Sequence, residues 1–428
     1  MRPHAVALLL AVLSLIVHLT LARQFQRVAA FDQLNVLFHA DVSTRVQAFT
    51  RGRHLGIKHP NLMPYFTPPI ALAAGVLTTL FPEVGPRKEL RRTLGMYLVP
   101  VASGLTTAFV CALFYYLGFS GVQATIATLL ALVSFSTLIF GSIPESYGLT
   151  ALALAIAYAF AARSRFRPTR RCVGAWVAIG VFATGITITN LLFVTLLLWA
   201  TTWKIRPRLE AATLQVALLA VAILGVTGVS AYVLDFWLVP PESAVVEGPP
   251  GAAIIRRVAK PFRREVFGFH LSDDPLRKLR RFPTAVAQSL APPSVEREPI
   301  KDIGRHNSGF TLEASPGVFS VADPLGLAVL ILLVAGTAGA LSAPTTRSIA
   351  TASLGILALC WLMSVWGEET HLYSQHWNLA AVVLIAGLMK GPREQLMTVV
   401  VGLLTLLVAV NNFLLVRSML AVLAAVPP

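Results

Sequence analysis

The chain is a succession of long apolar runs separated by short polar breaks, and this restricts it to one environment. The runs cover about residues 5–22, 67–82, 95–117, 122–140, 147–162, 173–203, 212–238, 324–343, 348–365, 377–389 and 395–416. A helix needs roughly 20 mainly apolar residues to cross a bilayer, and apolar stretches with polar punctuation are how such spans read in hydropathy. Only 13% of the residues are charged, against 56% hydrophobic, whereas soluble domains carry about 25% charged residues. The expected fold is all-α and polytopic, a single transmembrane domain over 1–428 with about eleven spans. The 173–203 run is too long for one span, and the polar stretch Thr184–Asn190 in its middle divides it into two helices meeting near Asn190. The first run, after Met1-Arg2-Pro3-His4, reads as an uncleaved helix rather than a secretory signal, because many spans follow it.

The net charge of +15 excludes little by itself. In a soluble protein it would point to nucleic acid; here loop Lys and Arg set topology and meet anionic lipid, and no nucleic-acid partner is expected. Cys111, Cys172 and Cys360 lie in or beside apolar runs and have neither metal-ligand nor disulfide spacing.

Basic loops orient the chain. Arg163, Arg165, Arg167, Arg170 and Arg171 form the densest short cluster, so that loop is assigned to the cytoplasm together with the N-terminus. An even number of spans must separate them. The 67–82 run opens on Pro68-Pro69 and is short, so it is expected to lie along the outer surface or to re-enter. Arg87, Lys88, Arg91 and Arg92 then fall outside, against the usual trend, while Lys204, Arg206, Arg208, Arg347, Lys390 and Arg393 fall inside. The outer segments are residues 23–94, the corner 141–147, residues 239–322 with 11 of the 27 prolines, and the corner 366–376. A loop as long as 239–322 is normally functional or disordered. Seven of the nine histidines (His39, His54, His59, His270, His306, His371 and His376) occupy this outer side.

Each polar group there has a structural and a chemical reading. Asp41, with Arg45 one helical turn on, is either a helix cap with a surface ion pair or a general base for an acceptor nucleophile. Asp32 is a second acid in the same loop. Lys58-His59-Pro60 is either an interfacial turn or a phosphate-binding pair. Ser142-Ile143-Pro144-Glu145 fits a capping box opening the next helix; the alternative is that Glu145 joins Asp41 as a metal ligand or acceptor-binding group beside Tyr147. Arg256, Arg257, Arg263 and Arg264 are interleaved with apolar residues, which suits a solvated basic face, a helix on the headgroups or bidentate phosphate binding. Tyr373 and His376, in the corner Trp366–Trp377, read as an interfacial aromatic belt or, with His371 and the adjacent acids, as a loose metal cluster. Whether a metal takes part is left open by the sequence; Asp41, Glu145 and His376 are the candidate ligands for a divalent cation.

The order of these features resembles the C superfamily of integral-membrane glycosyltransferases (GT-C), of the protein mannosyltransferase and aminoarabinose transferase type. The resemblance is carried by the early outer acid in Phe38-His39-Ala40-Asp41, then His59-Pro60 and Pro68-Pro69, a second outer acid in Ile143-Pro144-Glu145-Ser146-Tyr147, and the late corner Leu372-Tyr373-Ser374-Gln375-His376-Trp377. It implies transfer of a sugar from a polyprenyl-phosphate donor to a glycan, lipid or protein acceptor on the extracytoplasmic face, which is the plasma-membrane exterior in a bacterium. Asp41 would be the base, Glu145 would stand opposite it, and Lys58, His59 and the Arg256–Arg264 segment would meet the donor phosphate. The chain departs from the family in lacking the adjacent acidic pair after the first span, in having Lys58-His59-Pro60 where mannosyltransferases have His-Pro-Pro, and in lacking the Trp-Trp-Asp signature of oligosaccharyltransferases. The competing classes are a transporter or flippase, which would favour charges within spans and inverted repeats, and a non-catalytic membrane scaffold.

The topology is open to direct test. A Pro86→Cys variant in intact cells or sealed vesicles should react with an impermeant thiol reagent applied from outside; reaction only from the cytoplasmic side would show that the 67–82 run crosses the membrane.

Overall fold

The computed structural model describes residues 3–33, 35–51, 63–164, 171–205, 209–237, 274–300, 306, 308–312, 323–365, 370–391 and 393–426. It is an all-α polytopic membrane protein. The helices are α1 (Pro3–Arg27), α2 (Val42–Arg51), α3 (Met63–Leu80), α4 (Arg87–Tyr116), α5 (Gly121–Val133), α6 (Phe135–Phe140), α7 (Ser146–Ser164), α8 (Arg171–Ile186), α9 (Asn190–Ile205), α10 (Leu209–Trp237), α11 (Pro275–Leu290), α12 (Pro324–Ser342), α13 (Arg347–Met363), α14 (Asn378–Ala386) and α15 (Glu394–Ala424). A small antiparallel hairpin pairs β1 (Glu296–Pro299) with β2 (Ser308–Thr311) in the register Arg297 to Phe310.

Six of the described helices are long and apolar enough to cross a membrane: α1, α4, α7, the Thr213–Ser230 part of α10, α12 and α15. The other apolar runs form shorter helices, among them α5, α13 and the Asn378–Lys390 stretch, so helix length alone does not deliver eleven spans. The breaks have local causes. The 173–203 run divides as its polar middle suggests: α8 ends at Ile186 and α9 begins at Asn190, whose amide donates back to the Ala183 carbonyl (3.0 Å) and across to Thr150 (3.3 Å). The 122–140 run breaks at Ser134, whose hydroxyl bonds Ala131 and Thr137 (2.8 Å each) and accepts from Asn378 (2.7 Å).

The bundle has two distinct ends. At one, Gln123 bonds the Met389 carbonyl and Glu394, and Lys390 bonds the Gly118 carbonyl, which gathers the starts of α5 and α15 and the end of α4. Arg163 lies over Tyr116 at this same end. At the other end, Arg92 near the start of α4 pairs with Asp32 (2.7 Å), and the Phe49 ring of α2 lies where a Cβ on Gly95 of α4 would be. Asp32, α2 and the start of α4 therefore share one end. Arg87 lies along α3, its guanidinium against Gly75 and the Ala71 carbonyl.

Helix α15 is 31 residues long, about 46 Å at 1.5 Å per residue against a hydrocarbon core of about 30 Å. Its last third continues past the bundle and buries Val416, Met419 and Leu423 against Phe31, Val36 and Phe38 of the first loop and Phe310 of the hairpin. Asn412 marks where it leaves the bundle, donating to the last carbonyls of two helices, Val133 of α5 (2.8 Å) and Leu290 of α11 (2.6 Å). These are the carbonyls a helix C-terminus leaves unpaired.

Helix α11 has a proline at position 283. Proline lacks the N–H that would reach the carbonyl four residues back, here Leu279. Trp361 of α13 supplies the donor instead, its Nε1–H bonding the Leu279 oxygen at 2.9 Å. A Trp361→Phe substitution keeps an aromatic ring and removes that donor, so it should destabilise the fold by about 0.5–1.5 kcal/mol, read as a lowered thermal midpoint in detergent.

Candidate functional site

The site is assembled at the end of the bundle that holds the first loop. Residues 28–41 fold into a tight turn in which Ala29, Asn35, Phe38 and His39 have φ of 59°, 59°, 54° and 57°. Non-glycine residues rarely adopt this left-handed region, and each such residue must be held there by its surroundings. The clamp is the hairpin. Phe38 N–H bonds the Phe310 carbonyl and Phe310 N–H bonds the Val36 carbonyl (3.0 Å each). Gln33 Nε2 donates to the His306 carbonyl (2.6 Å) and its Oε1 accepts from His306 N–H (2.9 Å), and His39 meets Glu298 at 3.3 Å. The described parts of the long 239–322 segment thus lock the first loop, and Asp41 emerges from the locked turn immediately before α2.

One turn into α2, Arg45 is buried and its Nε donates to Glu145 Oε1 at 3.1 Å; Glu145 is also buried. Burial alone would lower the Arg45 guanidinium, but Glu145 and Asp41, through their charges, and the hydrogen bond to Glu145 outweigh it and hold the group above its ordinary value. The phenol of Tyr147 lies within electrostatic reach of Tyr373, Glu145, Arg45 and Asp41. Its ring meets Phe140, Tyr373 and His376 at 5.5, 6.0 and 6.3 Å.

Glu145 does not act as the expected capping box. Helix α7 opens at Ser146, so Glu145 is the residue before the helix, and its Oε1 accepts from Ser146 N–H (2.8 Å) and Oγ–H (2.9 Å). Ser142 is used elsewhere: it donates to the Leu138 carbonyl (2.7 Å) and meets His18 Nδ1 at 3.0 Å. Ser142 Oγ spends its proton on Leu138, so the His18 Nδ1–H is the donor in that pair. Gly141 beside it is equally fixed, because a Cβ there would stand 2.6 Å from His18 Cε1 and 2.7 Å from Ser103 Oγ. Helices α1 and α4 therefore grip the corner that carries Glu145. The second oxygen, Glu145 Oε2, is buried with no hydrogen-bond partner.

The late corner, the 3₁₀ turn Thr370–His376, forms the opposite wall. His376 Nδ1 donates to the Tyr373 carbonyl (3.0 Å), leaving Nε2 to accept from Thr189 (3.5 Å), and burial holds its pKa down to about 4. His371 is enclosed by the rings of Phe38, Phe135 and Phe140 at 5.3–5.8 Å, and burial lowers it to about 3.

Of the candidates named from sequence, Asp41, Arg45, Glu145, Tyr147, Tyr373 and His376 come together. Asp32 does not join them; it is exposed and paired with Arg92. Lys58, His59, Arg256, Arg257 and Arg263 lie outside the described residues. Among the described residues no three His, Cys, Asp or Glu side chains are placed to hold a metal ion; Glu368 and Glu369, the acids beside His371, lie outside the described residues. Sequence reasoning missed His18, whose signal was a single imidazole inside an apolar run, and the hairpin clamp, which rests on pairings some 270 positions apart.

No protein-family profile matches the chain, and no curated protein sequence does. Among solved structures the chain is similar to the Archaeoglobus fulgidus oligosaccharyltransferase, crystallised with an acceptor peptide containing the NVT sequon tethered to it by a disulfide bond. The similarity has a TM-score of 0.49 at 14% identity and covers 99% of this chain. The chain spans 56% of the length of that protein.

The two low histidine pKa values carry a sign. In the unfolded chain a histidine takes up a proton below about pH 6.5, whereas folded His376 and His371 stay neutral down to about 4 and 3. The unfolded state therefore binds more protons in that window, and stability falls as pH drops through it, by about 1.4 kcal/mol per pH unit for each histidine. His371→Phe, which suits the phenylalanine box, should flatten this acid limb in thermal midpoints measured across pH; an unchanged slope would show that His371 does not contribute to it.

Proposed function

We propose that this protein is an integral-membrane glycosyltransferase that moves a sugar from a polyprenyl-phosphate-linked donor to an acceptor on the extracytoplasmic side, with Asp41 as general base. The observation that supports this reading best is the buried Arg45–Glu145 pair with Asp41 one helical turn away, at one end of an apolar bundle. A lipid-linked sugar presents its reactive carbon where its apolar tail enters the bilayer, and this end of the bundle is where polar chemistry meets apolar helices.

The chemistry follows from the groups present. Asp41 takes the proton of the acceptor nucleophile as that atom bonds to the sugar's anomeric carbon. The bond from that carbon to the phosphate oxygen breaks, and the phosphate leaves with the electron pair. Glycosyl transfer passes through an oxocarbenium-like state, and the carboxylate of Glu145, fixed by Arg45, stabilises the positive charge that develops there. Tyr147, Tyr373 and His376 line the site as an uncharged, partly aromatic wall. Lys58, His59, Arg256, Arg257 and Arg263 are the candidates for holding the donor phosphate.

The sidedness is part of the proposal. On this reading Arg163, Arg347, Lys390 and Arg393 lie on the cytoplasmic side, and Arg87 and Arg92 are accepted on the Asp41 side against that trend. The acceptor class, whether glycan, lipid or protein, is left to experiment.

Purified Asp41→Asn and Asp41→Ala proteins with wild-type thermal midpoints should release polyprenyl phosphate from a labelled lipid-linked sugar about 10²–10⁴-fold more slowly than wild type, the range for loss of a general base. Turnover at the wild-type rate would remove Asp41 from this role.

A further inference from the structure

Helix α1 carries two polar side chains, Ser14 and His18, one turn apart on its buried face. That face meets α4 closely at Gly104, where a Cβ would stand 3.2 Å from the Ala11 carbonyl oxygen and 3.3 Å from the Leu15 side chain. Small residues let membrane helices approach in this way, and polar side chains then bond across the contact. Ser14 donates to the Ser103 carbonyl at 3.2 Å, and Ser103 Oγ donates to the Gly141 carbonyl at 3.1 Å. His18 reaches the next residue of the same corner, with Nδ1 3.0 Å from Ser142 Oγ.

An imidazole inside an apolar span is costly, and such a residue calls for a functional account. Stability does not supply one. The Nδ1 proton is given to Ser142, so Nε2 carries a lone pair, and that atom is buried with no partner. An acceptor left unpaired loses its hydration without return, so an apolar side chain would serve the packing better. What the imidazole does provide is one directed bond, and that bond lands at the head of a stiff segment. Ile143 is fully buried, Pro144 has its φ fixed by its ring, and Glu145 N–H bonds the Ile143 carbonyl at 2.8 Å. Three residues, tied to one another, separate the atom His18 holds from the carboxylate that meets Arg45.

We infer that His18 is a positioning residue for Glu145: its Nδ1–H anchors Ser142, and through the 142–145 corner it sets where the Glu145 carboxylate meets Arg45. It touches no substrate and acts only through that corner. Its consequence for turnover rests on the glycosyl-transfer reading above, whereas its hold on the Arg45–Glu145 geometry does not.

The test compares the full chain in lipid nanodiscs as wild type, His18→Leu, His18→Asn and Ser142→Ala. Leucine fills the space without a donor, asparagine keeps an N–H donor at the Nδ1 position, and alanine at 142 removes the acceptor even if His18→Leu does not fold. Cryo-EM maps read the separation of Arg45 Nε and Glu145 Oε1, and release of polyprenyl phosphate from a labelled lipid-linked sugar reads kcat and KM. His18→Leu and Ser142→Ala should carry the pair beyond hydrogen-bond distance and lower kcat about 10²-fold, the effect of a misplacement of about 1 Å, with KM little changed. His18→Asn should restore both the pair and kcat. An intact pair in His18→Leu or Ser142→Ala, a kcat loss without displacement of the pair, or a folded His18→Asn protein that behaves like His18→Leu would overturn the inference. Absence of turnover in wild type would sink the glycosyl-transfer reading instead, and the maps would still decide whether His18 sets the pair.

Discussion

The buried ion pair between Arg45 and Glu145 is the constraint around which the polar end of this molecule is organised. Removing two charges from water is expensive, and a buried pair is often no more stabilising than apolar residues of similar volume, whereas removing one partner alone costs about 3–5 kcal/mol. The pair is therefore a poor device for stability and a good one for position. It joins α2, which follows the first loop, to the corner that opens α7, and it places the Arg45 guanidinium within electrostatic reach of both Glu145 and Asp41.

The surrounding structure supports that placement. The left-handed residues of the first loop would not persist alone, and the hairpin holds them through backbone bonds at Val36 and Phe38. The corner bearing Glu145 is gripped from α1 by His18 and from α4 by Ser103. The protruding end of α15 covers both loop and hairpin with apolar side chains. Asn412 and Trp361 pair carbonyls of α11 that its end and its proline leave open.

Much of the architecture was legible in the sequence because bilayer thickness imposes a length on apolar runs that no soluble fold requires. The break near Asn190 was visible as polar residues in an overlong run, and the grouping of Asp41, Arg45, Glu145, Tyr147, Tyr373 and His376 followed from placing their loops at one end. What was not legible depended on long-range geometry. Ser142 and Glu145 have the spacing of a capping box, yet His18, from a helix more than a hundred positions earlier, engages Ser142 and the helix starts later. Asp32 and Asp41 look equivalent as loop acids, and only the position of Arg92 on α4 separates them. The number of spans was the least readable quantity, since a short apolar helix buried among neighbours has the same composition as one that crosses.

The central claim is that the Arg45–Glu145 pair serves chemistry rather than stability, and the most direct measurement is on the double variant Arg45→Met/Glu145→Leu. Replacing both charges together leaves neither member of the buried pair without its partner, so the protein should retain a thermal midpoint close to wild type while release of polyprenyl phosphate from a lipid-linked sugar is lost. A well-folded double variant that still turns over at the wild-type rate would contradict the account.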